Sequence, residues 1–390
     1  MTPGALPNVR LKTVVPSRGP WIFRKMVDAA DPRTEPGAIV RVLDREGGFV
    51  AQAFWNPKSE LALRVLTRAE TPVVDEAWLR ATVARAVSLR REVLKLDRES
   101  DAWRAVFSEA DALPGLVVDR YADVLSCQVA SLGIYRAFPV LSNELRKRLG
   151  ARVVHVAADP KIAKLEGFPM PQSAGEAARA VIQEHGLEFE VDCAGGHKTG
   201  FFLDQRDSRV RARELVRGRR ALDLCSYTGG FALNLAKGDA ASVTAVDLDE
   251  KAVAQARRNA DRNRLGQKIR FVHADVFEHL RSLQGALPEF VVVDPAKQAM
   301  QKDEVQRALG YYHDLNALVY ERCAKDALVL SCSCTGMVTE HAFLDALSQA
   351  ANSARRSVTF LEVRGAPADH PVPSNFPQAR YLKTVLARVE

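Results

Sequence analysis

The chain has 390 residues, which is more than one ordinary domain needs and predicts two or three domains. Hydrophobic residues make up 47% and charged residues 26%, a balance that is typical of folded globular proteins and excludes a disordered chain. The formal net charge of +7 is compatible with a polyanionic partner, but it identifies one only where the charge is clustered.

The cysteine pattern and the apolar runs indicate the compartment. Six cysteines are spread over the chain without the spacing of a disulfide scaffold, which favours reduced thiols. Residues 1–8 contain no apolar core of a secretory signal, and no run approaches the ~20 apolar residues of a membrane span. We therefore expect a cytoplasmic protein without a membrane partner.

Short apolar runs separated by turn residues fill residues 9–68. The runs at 37–44, 49–54 and 61–66 are divided by Gly47-Gly48 and by Asn56-Pro57, which predicts a small all-β barrel. Basic and aromatic residues alternate through this segment, and that mixture suits RNA binding. An ordinary barrel core with a solvated rim explains the same residues.

A mixed α/β segment is predicted next. Apolar positions at helical spacing indicate an amphipathic helix with a basic face over 74–96. Further runs are assigned as follows: strands at 103–107, 116–121, 124–129, 153–156 and 187–191, and a helix at 134–149. Residues 195–200 form a Gly-rich joint that leads into a helix at 206–216; such a loop holds an anionic or polar group in some proteins and is a plain linker in others.

From residue 221 strands and helices alternate regularly. The predicted strands are 221–225, 242–247, 269–273, 290–294 and 327–332, and the predicted helices are 230–237, 249–263, 275–283 and 302–325. This alternation predicts a doubly wound parallel sheet, whose ligands bind beyond the carboxyl ends of the strands. The residues at those ends are 225–230, Asp247, 274–275, Asp294-Pro295 and 332–334.

These strand ends favour a nucleoside ligand. Thr228-Gly229-Gly230 lets the backbone approach a ligand, Asp247 suits two ribose hydroxyls, and Asp275 suits an adenine amino group. The phosphate-binding motifs of NAD enzymes and of P-loop enzymes are missing. A nucleoside without a pyrophosphate fits better, and S-adenosylmethionine is such a ligand.

The last strand ends in thiols instead of carboxylates. A thiolate at Cys334 would add to C6 of a pyrimidine and so activate C5 toward a methyl group. The Cys332–Cys334 pair also has two plainer explanations, buried packing and half of a zinc site. No second Cys/His pair has metal-ligand spacing, so no metal is expected.

Many spaced motifs together resemble one family. They are residues 19–23, 56–59, 63–64, 111–121, 198–206, 226–231, 331–334, 368–371 and 381–383. In this order they resemble the class I, S-adenosylmethionine-dependent 23S ribosomal RNA cytosine-5 methyltransferases that begin with a PUA domain. The similarity covers almost the whole chain and is far more specific than any single motif.

The resemblance implies an α/β protein of three domains. They are a PUA-like RNA-binding β-barrel (1–70), a central α/β domain (71–194) and a Rossmann-like methyltransferase domain (195–390). The implied partner is ribosomal RNA, 23S in this family. Whether the chain forms a homodimer stays open.

The resemblance also implies roles for residues. Cys334, which precedes a small residue and Gly336, aligns with the family's nucleophile better than Cys332 does, and Asp294 would contact a cytosine flipped out of the RNA. Pro295 and Lys297 would face the substrate. The implied cofactor-binding residues are Lys198, Phe201, Gln205, Ser226, Tyr227, Thr228, Gly229, Gly230, Asp247, Asp275 and Val276.

One departure keeps alternatives open. Many relatives have Asp-Pro-Pro where this chain has Asp294-Pro295-Ala296-Lys297, and the missing proline would loosen the loop beside the base. Residues 294–300 also contain no second cysteine, so the base that takes the C5 proton is unidentified. An amino-group methyltransferase that uses Asp294-Pro295 without a thiol is one alternative. An RNA-binding ribosome-assembly factor with weak or no catalysis is the other.

Overall fold

The computed structural model describes residues 6–14, 18–172, 178–193 and 200–390. The chain divides into two compact units, each assembled from several segments. The first unit comprises Met1–Gln183, Val191–Leu203 and Ala368–Pro377, and the second comprises Glu184–Glu190, Asp204–Pro367 and Gln378–Glu390. The predicted boundaries near residues 70 and 194 stay a prediction.

The first unit opens with a sheet around an apolar core. Its described strands are β1 (Asn8–Leu11), β2 (Trp21–Ile22), β3 (Val27–Ala30), β4 (Ile39–Leu43), β5 (Phe49–Trp55) and β6 (Leu63–Thr67), in the order β2-β6-β5-β4-β1-β3. Their inward residues, among them Val9, Ile22 and Val42, are buried together. The three strands predicted at 37–66 are confirmed within one to two residues at each end.

A second sheet of the first unit packs with helices. Its elements are α1 (Glu76–Ser88), β7 (Ala102–Phe107), β8 (Leu116–Tyr121), β9 (Val124–Val129), α2 (Leu132–Leu149), β10 (Val153–Ala157) and α3 (Pro160–Glu166), with strand order β10-β9-β8-β7. The predicted helix over 74–96 is shorter in the structure. Asp75 caps the start of α1, and a π-helical turn follows at Leu89–Val93 before Lys95 adopts a positive φ of 55°.

The Asn56–Ser59 turn binds a buried carboxylate of the same unit, that of Glu166. Glu166 accepts hydrogen bonds from Asn56 Nδ2 at 3.0 Å, from Ser59 Oγ at 2.6 Å and from the Arg64 guanidinium at 3.0 Å. The backbone N–H of Leu132 donates to it as well, at 3.2 Å. Barrel, α2 and α3 are therefore joined through a single ionised side chain, which burial alone would not favour without these donors.

The Ala368–Pro377 segment also belongs to the first unit. Arg90 is fully buried, binds both oxygens of Asp111 at 2.6 and 2.8 Å, and donates to the backbone oxygen of Asp369 at 2.9 Å. Asp369 Oδ2 accepts the backbone N–H of Arg104 at 2.9 Å. Motif residues 111 and 369 thus serve packing within this unit, which the sequence does not indicate.

The strands β11 (Arg179–Glu184) and β12 (Leu187–Asp192) pair with each other, and the seven-stranded sheet of the second unit follows. Its described elements are α4 (Arg206–Leu215), β13 (Arg220–Leu224), α5 (Gly230–Lys237), β14 (Ser242–Asp247), α6 (Glu250–Arg262), β15 (Ile269–His273), α7 (Val276–Ser282), β16 (Phe290–Val293), α8 (Val305–Arg322), β17 (Ala327–Ser333), α9 (Glu340–Ser353), β18 (Val358–Arg364) and β19 (Lys383–Val389).

The sheet order is β15-β14-β13-β16-β17-β19-β18. The strands from β13 to β17 pair in parallel, which confirms the predicted doubly wound sheet. No element is predicted beyond residue 334, yet β19 inserts between β17 and β18 and runs antiparallel to both. In this register Lys383 lies opposite Ser333, one residue before Cys334.

In the part of the chain that the structure describes, no helix is both long and apolar enough to cross a membrane.

The buried Glu166 yields a stability prediction for the first unit. Glu166→Gln removes the nearer of the two carboxylates of Arg64, at 3.0 Å, and leaves Glu109 at 4.0 Å, so we expect a loss of about 3 kcal/mol in the free energy of unfolding of this unit. Urea unfolding followed by tryptophan fluorescence measures it, because the chain's tryptophans (Trp21, Trp55, Trp78, Trp103) all lie in the first unit.

Glu76→Gln is the matched control, because its side chain is 71% exposed and its surface ion pair contributes at most about 1 kcal/mol. Burial would raise the pKa of Glu166, but Arg64 and the hydrogen-bond donors outweigh burial and lower it below its ordinary 4.5. The wild-type stabilisation is therefore present above about pH 4.5 and is lost as the pH falls further. Equal midpoints for the two variants would contradict the anchoring role.

Candidate active site

Parallel pairing brings the predicted strand ends of the second unit to one edge of the sheet. The backbone N–H of Asp294 donates to the oxygen of Leu224 at 3.3 Å, and that of Tyr227 donates to Asp247 Oδ2 at 2.7 Å. Gln205 Nε2 donates to Asp294 Oδ1 at 3.0 Å. The turn after β13, the end of β14, the loop after β16 and the entrance to α4 therefore converge, as the sequence predicts.

The turn between β13 and α5 has an unusual backbone. Cys225, Tyr227 and Gly229 adopt φ angles of 63°, 48° and 87°, so every second residue lies in the left-handed region. A Cβ at Gly229 would lie 2.8 Å from Leu233 Cδ1 and 3.2 Å from Ala256 Cβ. Left-handed conformations at residues with side chains cost about 1 kcal/mol or more each and concentrate at functional sites. Only glycine suits the third position.

Asp247 is half-buried beside this turn. Its Oδ2 accepts the N–H of Tyr227, and its Oδ1 accepts the N–H of Asp249 at 2.9 Å. A carboxylate oxygen can accept more than one hydrogen bond, so each oxygen of Asp247 can accept another one from a ligand. The two backbone N–H groups fix the orientation of the carboxylate.

Asp275 caps a helix, which is not among its predicted roles. Its Oδ1 accepts the N–H groups of Phe277 at 2.9 Å and Glu278 at 3.1 Å, which makes it the N-cap of α7. Val276 is buried at the start of that helix. The cofactor contacts predicted for these two residues stay predictions.

The loop after β16 carries the predicted substrate residues. Pro295 is buried, whereas Ala296 and Lys297 are exposed. The backbone N–H of Gln298 donates to Thr335 Oγ1 at 3.0 Å, and Gln298 Nε2 donates to the oxygen of Ala296 at 2.6 Å. The loop without a second proline is therefore held by hydrogen bonds.

The thiols of this edge differ in exposure. Cys334 is partly exposed, whereas Cys332 is 1% exposed. Burial, followed by the nearby Asp294 carboxylate, raises the pKa of Cys332 well above its ordinary value. Burial, followed by the carboxylates of Asp247 and Asp294, also raises the pKa of Cys225. A buried neutral thiol is a poor nucleophile, so the geometry favours Cys334.

Two residues of the site carry no predicted role. Asp223 is fully buried within β13, and burial, followed by the Asp294 carboxylate, raises its pKa well above the ordinary value. Lys383 is 1% exposed in β19, and burial lowers its pKa to about 8. A charged residue between apolar strand residues is the signal that would have identified Asp223, whereas Lys383 stands at the start of β19, which also contains Arg388, and has no such signal.

The joint segment is only partly described. Lys198 lies outside the described residues. Phe201 belongs to the first unit, where its backbone N–H donates to Tyr121 Oη at 3.1 Å and its oxygen accepts from the same hydroxyl at 3.0 Å. The cofactor contacts of these two residues stay predictions. Among the described residues no group of three or more His, Cys, Asp or Glu side chains is arranged to hold a metal ion.

Two family profiles match the chain. One, described as a PUA-like domain, matches residues 15–68, and the other, described as an S-adenosylmethionine-dependent methyltransferase, matches residues 172–388. Strands β2 to β6 of the barrel fall within the first match, and the parallel strands β13 to β17 fall within the second.

Relatives extend the similarity to almost the full length. The ribosomal RNA large subunit methyltransferase I of Salmonella arizonae is 34% identical over 379 residues, which cover 95% of this chain and 94% of the relative. The protein of the same name from Cronobacter sakazakii is 34% identical over 373 residues, or 94% of each chain. A solved structure described as a proposed methyltransferase complexed with SAH has a TM-score of 0.80 at 18% identity, covering 95% of this chain and 96% of its own.

The exposure difference yields a labelling prediction. In the native protein, iodoacetamide will alkylate Cys334 at least about tenfold faster than Cys332, because only the former is reachable. Peptide mass spectrometry after timed quenching measures both sites in one sample. Cys334→Ala is the control and should remove the fast site without accelerating the slow one; comparable rates at the two thiols would contradict the assignment.

Proposed function

Because this chain belongs to the S-adenosylmethionine-dependent methyltransferase family, in the branch that carries a PUA-like domain, we propose that it methylates C5 of a cytosine in 23S ribosomal RNA through a covalent cysteine adduct. Family membership confirms the predicted resemblance, the fold class and S-adenosylmethionine as the cofactor. The target atom, the adduct and the site residues are the proposal.

The strained turn after β13 fits the cofactor. Gly229 supplies a left-handed conformation at the start of α5, and the buried Ser226 Oγ has no hydrogen-bond partner among the described residues and so can bind a ligand. Asp247 presents a carboxylate that the backbone has already oriented. We assign the ribose hydroxyls to Asp247 and the polar groups of the cofactor to the turn at 226–230, with Gln205 nearby. S-adenosylmethionine supplies the methyl group.

The observation that carries the proposal is the partly exposed Cys334 on the loop beside Asp294. The Cys334 thiolate adds to C6 of the cytosine, forming a C–S bond and placing the electron pair at C5 and N3. Asp294 contacts the base on the N3 side, where its protonated carboxyl donates a hydrogen bond to N3 and so neutralises the negative charge that develops there. The electron pair at C5 then takes the methyl group of S-adenosylmethionine, whose S–CH3 bond breaks to leave S-adenosylhomocysteine. The C5 proton passes to a base, the C–S bond to Cys334 breaks, and the thiolate is regenerated.

The first unit supports RNA as the partner. Exposed basic side chains occur across the barrel at Arg10, Lys12, Lys25, Arg45 and Lys58. Such charges bind a phosphate backbone without reading its sequence. The relatives are named for ribosomal RNA of the large subunit, and we infer the same class of substrate here.

Replacing the nucleophile tests the chemistry. Cys334→Ala should lower methylation of 23S ribosomal RNA by at least about 10³-fold, because the covalent step is lost, while the cofactor still binds. Cys332→Ala is the matched control and should retain activity. Mass spectrometry of the digested nucleosides identifies the product.

Normal turnover by Cys334→Ala would contradict the covalent mechanism. A methyl group on an exocyclic amine would favour the amino-group methyltransferase instead. Absence of cofactor binding by the unmodified chain in calorimetry would favour the non-catalytic assembly factor.

Asp247 tests the cofactor site. Asp247→Asn should weaken binding of S-adenosylmethionine about tenfold or more, because a side-chain amide has one acceptor oxygen where the carboxylate has two. Asp249→Asn is the control, since Asp249 is equally half-buried, also accepts backbone N–H groups, and asparagine caps a helix as well as aspartate does. Titration calorimetry measures both; an unchanged affinity for Asp247→Asn would contradict the ribose assignment.

A further inference from the structure

The loop that carries Cys334 is held from one side by a buried ammonium. Lys383 Nζ donates to the backbone oxygens of Thr335 at 2.7 Å, Val338 at 2.8 Å and Tyr381 at 2.8 Å. An ammonium group has three N–H bonds, so each of them has an acceptor. Because two of the acceptors lie within four residues after Cys334, the Lys383 side chain fixes the path of the chain after the thiol.

The same loop is joined to the Asp294 loop by one hydroxyl. Thr335 is fully buried, and its Oγ1 accepts the backbone N–H of Gln298 at 3.0 Å. The Thr335 hydroxyl also shares a hydrogen bond of 2.7 Å with the hydroxyl of Tyr312. Burial raises the pKa of Tyr312 to about 12, so this anchor stays neutral at the pH of the cell.

The hydrogen bond between the two loops occurs where the Asp294 loop lacks a second proline. Ala296 is exposed and its backbone is free of the ring that a second proline would supply. Two residues later, the Gln298 N–H is fixed to Thr335. A hydrogen bond between the two loops thus limits the distance between the thiol side and the carboxylate side of the site.

We propose that Thr335 and Lys383 are positioning residues of the methyl-transfer site, holding the Cys334 loop at a fixed distance from Asp294 and placing a positive charge beside the thiol. This inference rests on the proposed function for its catalytic meaning. Neither residue contacts the substrate, and both act through Cys334.

The charges around the thiol give Lys383 a second effect. The ammonium of Lys383 faces the Cys334 thiol and Glu340, and the thiol of Cys332 and the phenol of Tyr312 are the neutral groups near Cys334. Asp294 lies on the loop that Thr335 joins to the Cys334 loop. A nearby cation favours the thiolate, so Lys383 favours ionisation of Cys334.

The hydroxyl of Thr335 is tested by a pair of variants. Thr335→Val keeps the shape and removes the bond to Gln298, so kcat for methylation should fall about tenfold or more while the KM for S-adenosylmethionine stays unchanged. Thr335→Ser restores the hydroxyl and should return kcat to within about threefold. Thr82→Val is the matched control, because Thr82 is also buried and hydrogen-bonded but lies in α1 of the first unit. A Thr335→Val enzyme with unchanged kcat would overturn the positioning role.

Lys383 is tested without RNA or cofactor, so the result does not depend on the proposed methylation. Lys383→Met should slow alkylation of Cys334 by iodoacetamide at pH 7 about tenfold and move the pH profile of that reaction upward. Lys383→Arg keeps the charge and should recover most of the rate. Tyr312→Phe reports on loop position alone: it should lower kcat while leaving the pH profile of alkylation unchanged.

An unchanged alkylation profile in a folded Lys383→Met variant would overturn the charge effect. If alkylation shifts as expected but the wild-type protein does not methylate C5, the charge effect of Lys383 on Cys334 stands and the proposed function fails.

Discussion

Parallel pairing of β13 with β14 and β16 is the constraint on which the site depends. It carries the turn at 226–230, Asp247 and Asp294 to one edge of a sheet whose strands are almost fully buried. Burial of these apolar strands contributes the free energy that holds several carboxyl groups near one another. Without that packing, the mutual repulsion of Asp223, Asp247 and Asp294 would separate them.

The site combines a strained turn on one side with two hydrogen-bonded loops on the other. Left-handed residues shape the turn after β13, and backbone N–H groups keep the Asp247 carboxylate in place. On the other side, Lys383 and Thr335 satisfy the backbone groups of two loops that lack regular structure. Buried polar groups stabilise one conformation when each has a partner, which holds for the Lys383 ammonium and the Thr335 hydroxyl but not for Ser226 Oγ in the turn after β13.

The elements of the second unit follow from local patterns. Runs such as 290–293 are apolar throughout, as expected for strands covered on both faces, and the helix at 230–237 is confirmed residue for residue. The order of strands around β19 does not follow from such patterns, because an antiparallel insertion depends on which edge is free. For the same reason the sequence does not indicate that Lys383 lies opposite Ser333. The sequence could have predicted that Asp275 caps α7, because an Asp directly before a helix is a local signal for an N-cap.

The sequence by itself determined the alternation of strands and helices, the glycine turn and the acidic strand ends, because these depend on periodicity and on residues close in the chain. Only the tertiary structure decided which thiol is reachable. Cys332 and Cys334 differ by two positions, and burial separates them. It also decided that the Ala296 loop is held by Thr335, because a hydrogen bond between residues 37 positions apart exists only after the sheet has formed.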